Sequence, residues 1–157
     1  MMSMKHNNSS SDMYVRLLAM AILSFISMYL LMYAMVDSFK NIHNSFNELY
    51  MAGLMTAPMI LIEIVIMGRM YGNKNYNIVI GIASILLGII FLLAIRTQFA
   101  IGDTQFLRSM IPHHAGAILM CNNGTIQDSE IKQLCSTIVD GQQKEIDQMK
   151  AILERLQ

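Results

Sequence analysis

The sequence predicts an all-α protein: three transmembrane helices followed by an extracytoplasmic two-helix hairpin, which a second copy completes into a four-helix bundle. Three observations predict it. Of the 157 residues, 54% are hydrophobic and only 14% are charged, against a charged share of roughly 25% in ordinary soluble domains. Three apolar runs reach the roughly 20 residues that a bilayer crossing needs. After the third run the pattern becomes amphipathic with helical spacing.

Residues 1–12, MMSMKHNNSSSD, are polar and low in complexity and are expected to be disordered. A membrane domain follows over 13–96. Its spans are 17–36 (LLAMAILSFISMYLLMYAMV), 49–67 (LYMAGLMTAPMILIEIVIM) and 78–95 (IVIGIASILLGIIFLLAI). Polar residues flank each: Arg16 and Asp37, Glu48 and Arg69, Asn77 and Arg96. The first run is longer than the roughly 7–15 apolar residues of a signal peptide, and no A-x-A-like cleavage site follows it. It is read as a retained anchor. With the N-terminus cytoplasmic, Lys5, Arg16, Arg69 and Lys74 lie inside, and Lys40, Arg96 and Arg108 lie outside. The positive-inside rule favours this orientation by a narrow margin and puts the C-terminal segment outside the cytoplasm.

The connectors are DSFKNIHNSFNE and GRMYGNKNYN, the second rich in turn-forming Gly and Asn. Residues 97–157 form the C-terminal helical domain. Asp103 is expected to cap a first helix reaching about Cys121. NNGTIQDS is the break, and Asp128 or Ser129 caps a second helix running nearly to Gln157. The second helix carries a stripe at steps of three and four: Ile131, Cys135, Ile138, Gln142, Glu145 or Ile146, Met149 and Ile152. Lys132, Gln133, Asp140, Lys144, Asp147 and Lys150 form the opposite face. Two helices of this length bury little surface alone, so a homodimer or higher homo-oligomer, forming a four-helix bundle, is the simplest completion.

Chemistry concentrates in MIPHHAGAILMC, Met110 to Cys121. Met110 lies three residues before His113 and four before His114, so the side chains share a helical face. Adjacent residues point about 100° apart, so the two imidazoles do not readily face one point. Pro112 either starts this helix or kinks it. Ala115, Gly116 and Ala117 are small enough to let another helix approach. Folded antiparallel, with His114 facing Gln142, the hairpin brings Cys121 opposite Cys135 and places Met110 near Glu145, Ile146 or Met149. The metal candidates are therefore Met110, His113, His114, Glu145 and Met149. Thioether and imidazole together favour copper, the thioether selecting Cu(I). Zn(II) or Cu(II) are the alternatives, with Glu145 as ligand or as a partner that orients a histidine.

DTQFLRSMIPHHAGAILM followed by IVDGQQKEIDQM resembles the bacterial domain of unknown function 305 family. Its F-x-x-x-M-x-x-H-H-x-x-A-I-x-M and Q-x-x-E-I-x-x-M patterns fall on Phe106, Met110, His113, His114, Ala117, Ile118 and Met120, then on Gln142, Glu145, Ile146 and Met149. The resemblance covers about residues 100–155. It implies a ferritin-like helical bundle in the bacterial envelope, here at the inner (cytoplasmic) membrane, and some members bind copper. Cys121 and Cys135 depart from the pattern, which usually has small residues at both places. Many relatives carry the motif twice; this chain carries it once, which again implies dimerisation.

Blander readings stand beside these. The histidines can be surface imidazoles, one of them capping a carbonyl. The cysteines can be small buried hydrophobes, free thiols, metal ligands, or a disulfide in an oxidising compartment. Sixteen methionines also fit a genome-wide bias toward Ile, Asn and Met, so their number alone argues nothing. Met28, Met32 and Met35, and Met51, Met55 and Met59, have helical spacing and read as packing residues. Glu63 lies near the end of span two, within reach of the interface, and His43 reads as a solvated loop histidine. A formal net charge of zero gives no footprint for nucleic acid, and no nucleotide, hydrolase, zincin or haem-attachment motif occurs. The expectation is a non-enzymatic, membrane-anchored copper-binding protein. The alternatives are a structural membrane protein whose hairpin mediates oligomerisation without metal, and a redox metal centre, for which a second carboxylate-rich shell is missing.

Overall fold

The computed structural model describes the backbone from Lys5 and the side chains from Ser11 onward. Five α-helices occur in chain order: α1 (Lys5–Leu31), α2 (Phe46–Met67), α3 (Lys74–Thr97), α4 (Asp103–Asn123) and α5 (Ser129–Arg155). Two short 3₁₀ turns, Met32–Met35 and Phe39–Asn41, lie between α1 and α2. No strand occurs among the described residues. Helix α1 starts at Lys5, inside the stretch expected to be disordered; residues 1–4 lie outside the described residues. No Gly or Pro interrupts 5–31, so a helix nucleated in the apolar span extends through the Ser/Asn tract at little cost.

The chain divides into two compact units, and the boundary differs from the one expected at residue 96. The first comprises residues up to Leu31 together with Leu49–Phe99. The second joins Met32–Glu48 to Ala100–Gln157.

Three segments, Ser11–Met35, Phe46–Met67 and Lys74–Thr97, are long and apolar enough to cross a membrane, and most of each lies in the first unit. Small residues bring α2 and α3 together, as in packed membrane helices. A Cβ on Gly53 would lie 2.5 Å from the Phe91 ring, and one on Gly88 would lie 3.5 Å from Ala57. Thr56 and Ser84 direct their hydroxyls to the carbonyls of Ala52 and Ile80, each at 2.8 Å, so neither brings an unpaired polar atom to the contact. A second cluster gathers Leu17, Ile64 and Tyr71. There the Tyr14 hydroxyl donates to Asn77 Oδ1 (2.8 Å) and Tyr71 donates to Glu63 Oε1 (2.9 Å). Glu63 is thus a hydrogen-bonded carboxylate. Burial and this carboxylate push the Tyr71 phenol up to about 12.

Asn73 caps α3, accepting from the amides of Asn75 and Tyr76. The helix ends in a Schellman motif: Gln98 adopts φ 49°, its N–H reaches Ile95 C=O, and Phe99 N–H reaches Ala94 C=O.

The second unit is built on the α4–α5 hairpin. Its core takes Leu107, Ile111, Ala115 and Ile118 from α4 and Ile146, Met149 and Leu153 from α5, all at helical steps of three or four. Ile111 and Ile146 are fully buried, and burying an aliphatic side chain of this size is worth roughly 1.5–3 kcal/mol. The connector between α1 and α2 packs on this hairpin. Val36 joins its core, and the Met35 carbonyl lies 3.4 Å from where a Gly116 Cβ would stand. The neighbour admitted by the small residues is thus a 3₁₀ turn of the same chain. Polar ties complete the seam: Lys150 Nζ donates to Asn41 Oδ1 (2.5 Å), Asn47 to Ser109 Oγ (3.2 Å), and Phe46 N–H to Gln105 Oε1 (3.0 Å).

Candidate metal centre

Three local features set the hairpin. Asp128 accepts from the amides of Glu130 and Ile131, so α5 begins at Ser129. Gly124 ends α4 in an extended conformation, its N–H reaching Met120 C=O. At the other end the cap of α4 is Gly102, without a side-chain bond; Asp103, expected as the cap, is the first helical residue. There its charge complements the helix N-terminus. Pro112 lies inside α4, which is continuous from Asp103 to Asn123. Its missing N–H leaves the Arg108 carbonyl without its usual i→i−4 donor.

Cys121 and Cys135 are joined by a disulfide with Cα atoms 5.3 Å apart, next to the bend. Further along, the hairpin brings His114 and Glu145 together. His114 Nδ1 lies 2.8 Å from the Met110 carbonyl one turn earlier, and Nε2 lies 2.8 Å from Glu145 Oε2 across the helix pair. The imidazole is mostly buried and the carboxylate more than half exposed. The expected partner at this level was Gln142. Side chains on a helix lean toward its N-terminus. In an antiparallel pair that tilts the His114 tip toward the later turns of α5 and Glu145 back toward it, and so the contact falls nearly one turn beyond the backbone register.

The remaining candidates sit around this pair. Met149 is buried in the core beside Ile146, and Met110 packs against the same cluster. His113 is exposed on the neighbouring face, its ring centroid 6.0 Å from that of His114 and inclined at 64°. The structure thus joins His114 to Glu145 across the hairpin, places Met110 and Met149 in its hydrophobic core, and leaves His113 exposed. No group of three His, Cys, Asp or Glu side chains able to hold a metal occurs among the described residues, so a site here must recruit the thioethers.

His43 departs from the solvated loop residue that the sequence predicts. It is half-buried, its Nε2 is buried without a hydrogen-bond partner, and its hydroxyl-donating neighbour Tyr33 bonds its carbonyl. Burial lowers its pKa, and Lys150 and Arg108 lower it further. Nothing local in the sequence signals this, because both cations come from the hairpin.

These elements define an all-helical protein that joins three helices able to span a membrane to a disulfide-stapled hairpin bearing a His–carboxylate clasp. Residues 94–153 match the family described as Domain of unknown function (DUF305). The chain belongs to that family. It is also similar to "Uncharacterized protein L153" of Acanthamoeba polyphaga mimivirus, with 39% identity over 142 residues, covering 88% of this chain and 91% of the relative. No solved structure matches it.

Proposed function

We propose that this is a membrane-anchored copper-binding protein that holds Cu(I) on its C-terminal hairpin for tolerance, storage or transfer. One observation carries the reading: the position of His114 between the Met110 carbonyl and Glu145. A carbonyl can only accept, so Nδ1 carries a proton and Nε2 is the nitrogen turned across the hairpin. In the neutral ring Nε2 is a ligand atom beside a carboxylate oxygen, and Met110 and Met149 belong to the hydrophobic core of the same hairpin. One backbone bond thus sets both tautomer and ring direction, the usual way a metal-binding imidazole is held. Two thioethers, one imidazole and one carboxylate suit a soft monovalent ion; Zn(II) would draw little from the sulfurs.

The location belongs to the same proposal. The N-terminus lies in the cytoplasm and the hairpin outside it, at a bacterial cytoplasmic membrane as the family resemblance implies. The Cys121–Cys135 bridge supports an oxidising compartment. The mimivirus relative is similar over far more than the family segment, which supports span region and hairpin acting as one protein.

The full chain, purified in detergent without added metal, tests it by elemental analysis and by Cu(I) titration against a competing chelator. His114→Gln with Met149→Leu, which keeps volume in the core, is expected to lower affinity by at least tenfold. Unchanged affinity removes the site. A second reading has support of its own. Both His114 nitrogens already face protein acceptors, as in a purely structural clasp, and Met120, Ile131 and Leu134 leave apolar surface exposed for a second copy. Absence of metal, with an oligomer indifferent to chelator, favours that reading.

A further inference from the structure

Where α2 gives way to α3, the first unit holds a cavity that the metal centre does not involve. Its volume is about 510 Å³, and Arg69 and Lys74 line it. Gly68 and Gly72 form its small-residue wall, and Val65 and Ile78 its apolar side. Gly72 has φ 69°, and Asn73 N–H bonds to Tyr71 C=O at 2.8 Å. This tight γ-turn suits glycine and holds Lys74 at the start of α3. Asn77 also lines the cavity, but its amide is committed, donating to Gly68 C=O (2.7 Å) and accepting from Tyr14. The two cations are therefore the groups left to meet a ligand.

Neither cation is in an ion pair among the described residues. The nearest acidic residue in sequence, Glu63, accepts from Tyr71, and no Asp or Glu follows it before Asp103. Two like charges beside low-dielectric walls favour an anion. The surroundings say what kind. Val65, Ile66, Ile78 and Val79 are all 60% exposed or more, so apolar surface runs on from the cavity along both helices. Tyr14, Tyr71 and Tyr76 cluster at the same end, with ring centroids 5.4 and 5.8 Å apart, and tyrosine belongs to the membrane–water interface. An occupant must be anionic at one end and apolar at the other. We propose that this cavity binds the headgroup phosphate of an anionic phospholipid, with Arg69 and Lys74 as its counter-charges and the acyl chains against Val65 and Ile78.

The test uses the full chain in nanodiscs of phosphatidylcholine with or without phosphatidylglycerol, and native mass spectrometry of the lipid retained after gentle extraction. The wild type is expected to retain phosphatidylglycerol preferentially. Arg69→Gln with Lys74→Gln is expected to reduce that preference about 30-fold, since each basic residue near an anionic surface is worth roughly a fivefold step. Arg69→Lys with Lys74→Arg is expected to keep it, which separates charge from misfolding. Lys132→Gln with Lys144→Gln removes the same charge from α5. An equal loss there overturns the proposal in favour of general surface charge. Displacement of the lipid by inorganic phosphate at equal concentration overturns it in favour of a free-anion site, and an unaltered preference in the Gln pair overturns it outright.

Discussion

Removing the Cys121–Cys135 bridge, by Cys121→Ala with Cys135→Ala, isolates the covalent contribution to the second unit. The cysteines are 14 positions apart. A cross-link closing a loop of that size restricts the unfolded chain by about 3 kcal/mol at 25 °C. Both side chains are half-buried, so truncation adds a small packing loss. In a unit of this size 1 kcal/mol moves Tm by roughly 4–8 °C, so the expected fall is about 12–24 °C. The same free energy speeds exchange of the most protected amides by about two orders of magnitude. The assay is hydrogen exchange read by mass spectrometry on α4 and α5 peptides of the full chain in detergent, with a thermal series in parallel. Ile111 and Ile146 lie at the centre of the core, so peptides containing them report the unit as a whole. Equal exchange and equal melting in the bridged, reduced and double-alanine proteins would refute the reasoning. The hairpin would then be held by its core and connector alone, with an unfolded state compact enough to make the cross-link redundant.

Ile146→Ala empties a fully buried position and is expected to destabilise the second unit by about 2–5 kcal/mol, read from the same α5 peptides. Acidification acts through His43. Its folded-state pKa lies below the ordinary 6.5, so the unfolded chain binds the proton more readily, and stability falls as pH drops below about 6.5. His43→Gln is expected to flatten the decline in Tm between pH 7.5 and 5.5. Gly53→Leu drives a side chain into the Phe91 ring at a cost of about 1–3 kcal/mol; adding Phe91→Ala is expected to restore part of it in detergent melting. Ala100, with φ 56°, is strained for a residue bearing a Cβ, and Ala100→Gly is expected to gain up to about 1 kcal/mol in chemical denaturation.

What was legible in the sequence followed from short-range patterns. The three spans declare themselves by uninterrupted apolar length, and their ends shift by only a few residues from expectation. For the α5 cap the sequence offers Asp128 or Ser129, and seven-residue spacing sets Cys121 opposite Cys135 with the bridge one of several open readings; the structure has Asp128 as the cap and the bridge formed. The apolar stripe on α5 is buried along only part of its length. Ile146, Met149 and Leu153 are buried, whereas Ile131 and Leu134 near the bend stay exposed, because the hairpin core lies toward its open end. The connector was the largest omission. DSFKNIHNSFNE looks like a solvated loop, yet Asn41 and Ser45 are buried. The partners that bury it, Gln105, Ser109 and Lys150, stand about 60 to 109 positions away, beyond any local periodicity. The His114–Glu145 contact was within reach of the helical pattern, but its offset from Gln142 depends on side-chain lean, which residue spacing does not encode.

The unequal fastening of the hairpin has a mechanical consequence. A covalent bond pins it beside the bend, while non-covalent contacts alone close its other end. Opening motions therefore pivot about Cys121 and Cys135 like the arms of tweezers, and the separation grows with distance from the pivot. His114 sits two turns from that pivot, so a small swing of the arms strains its contact with Glu145 while the bridge stays in place.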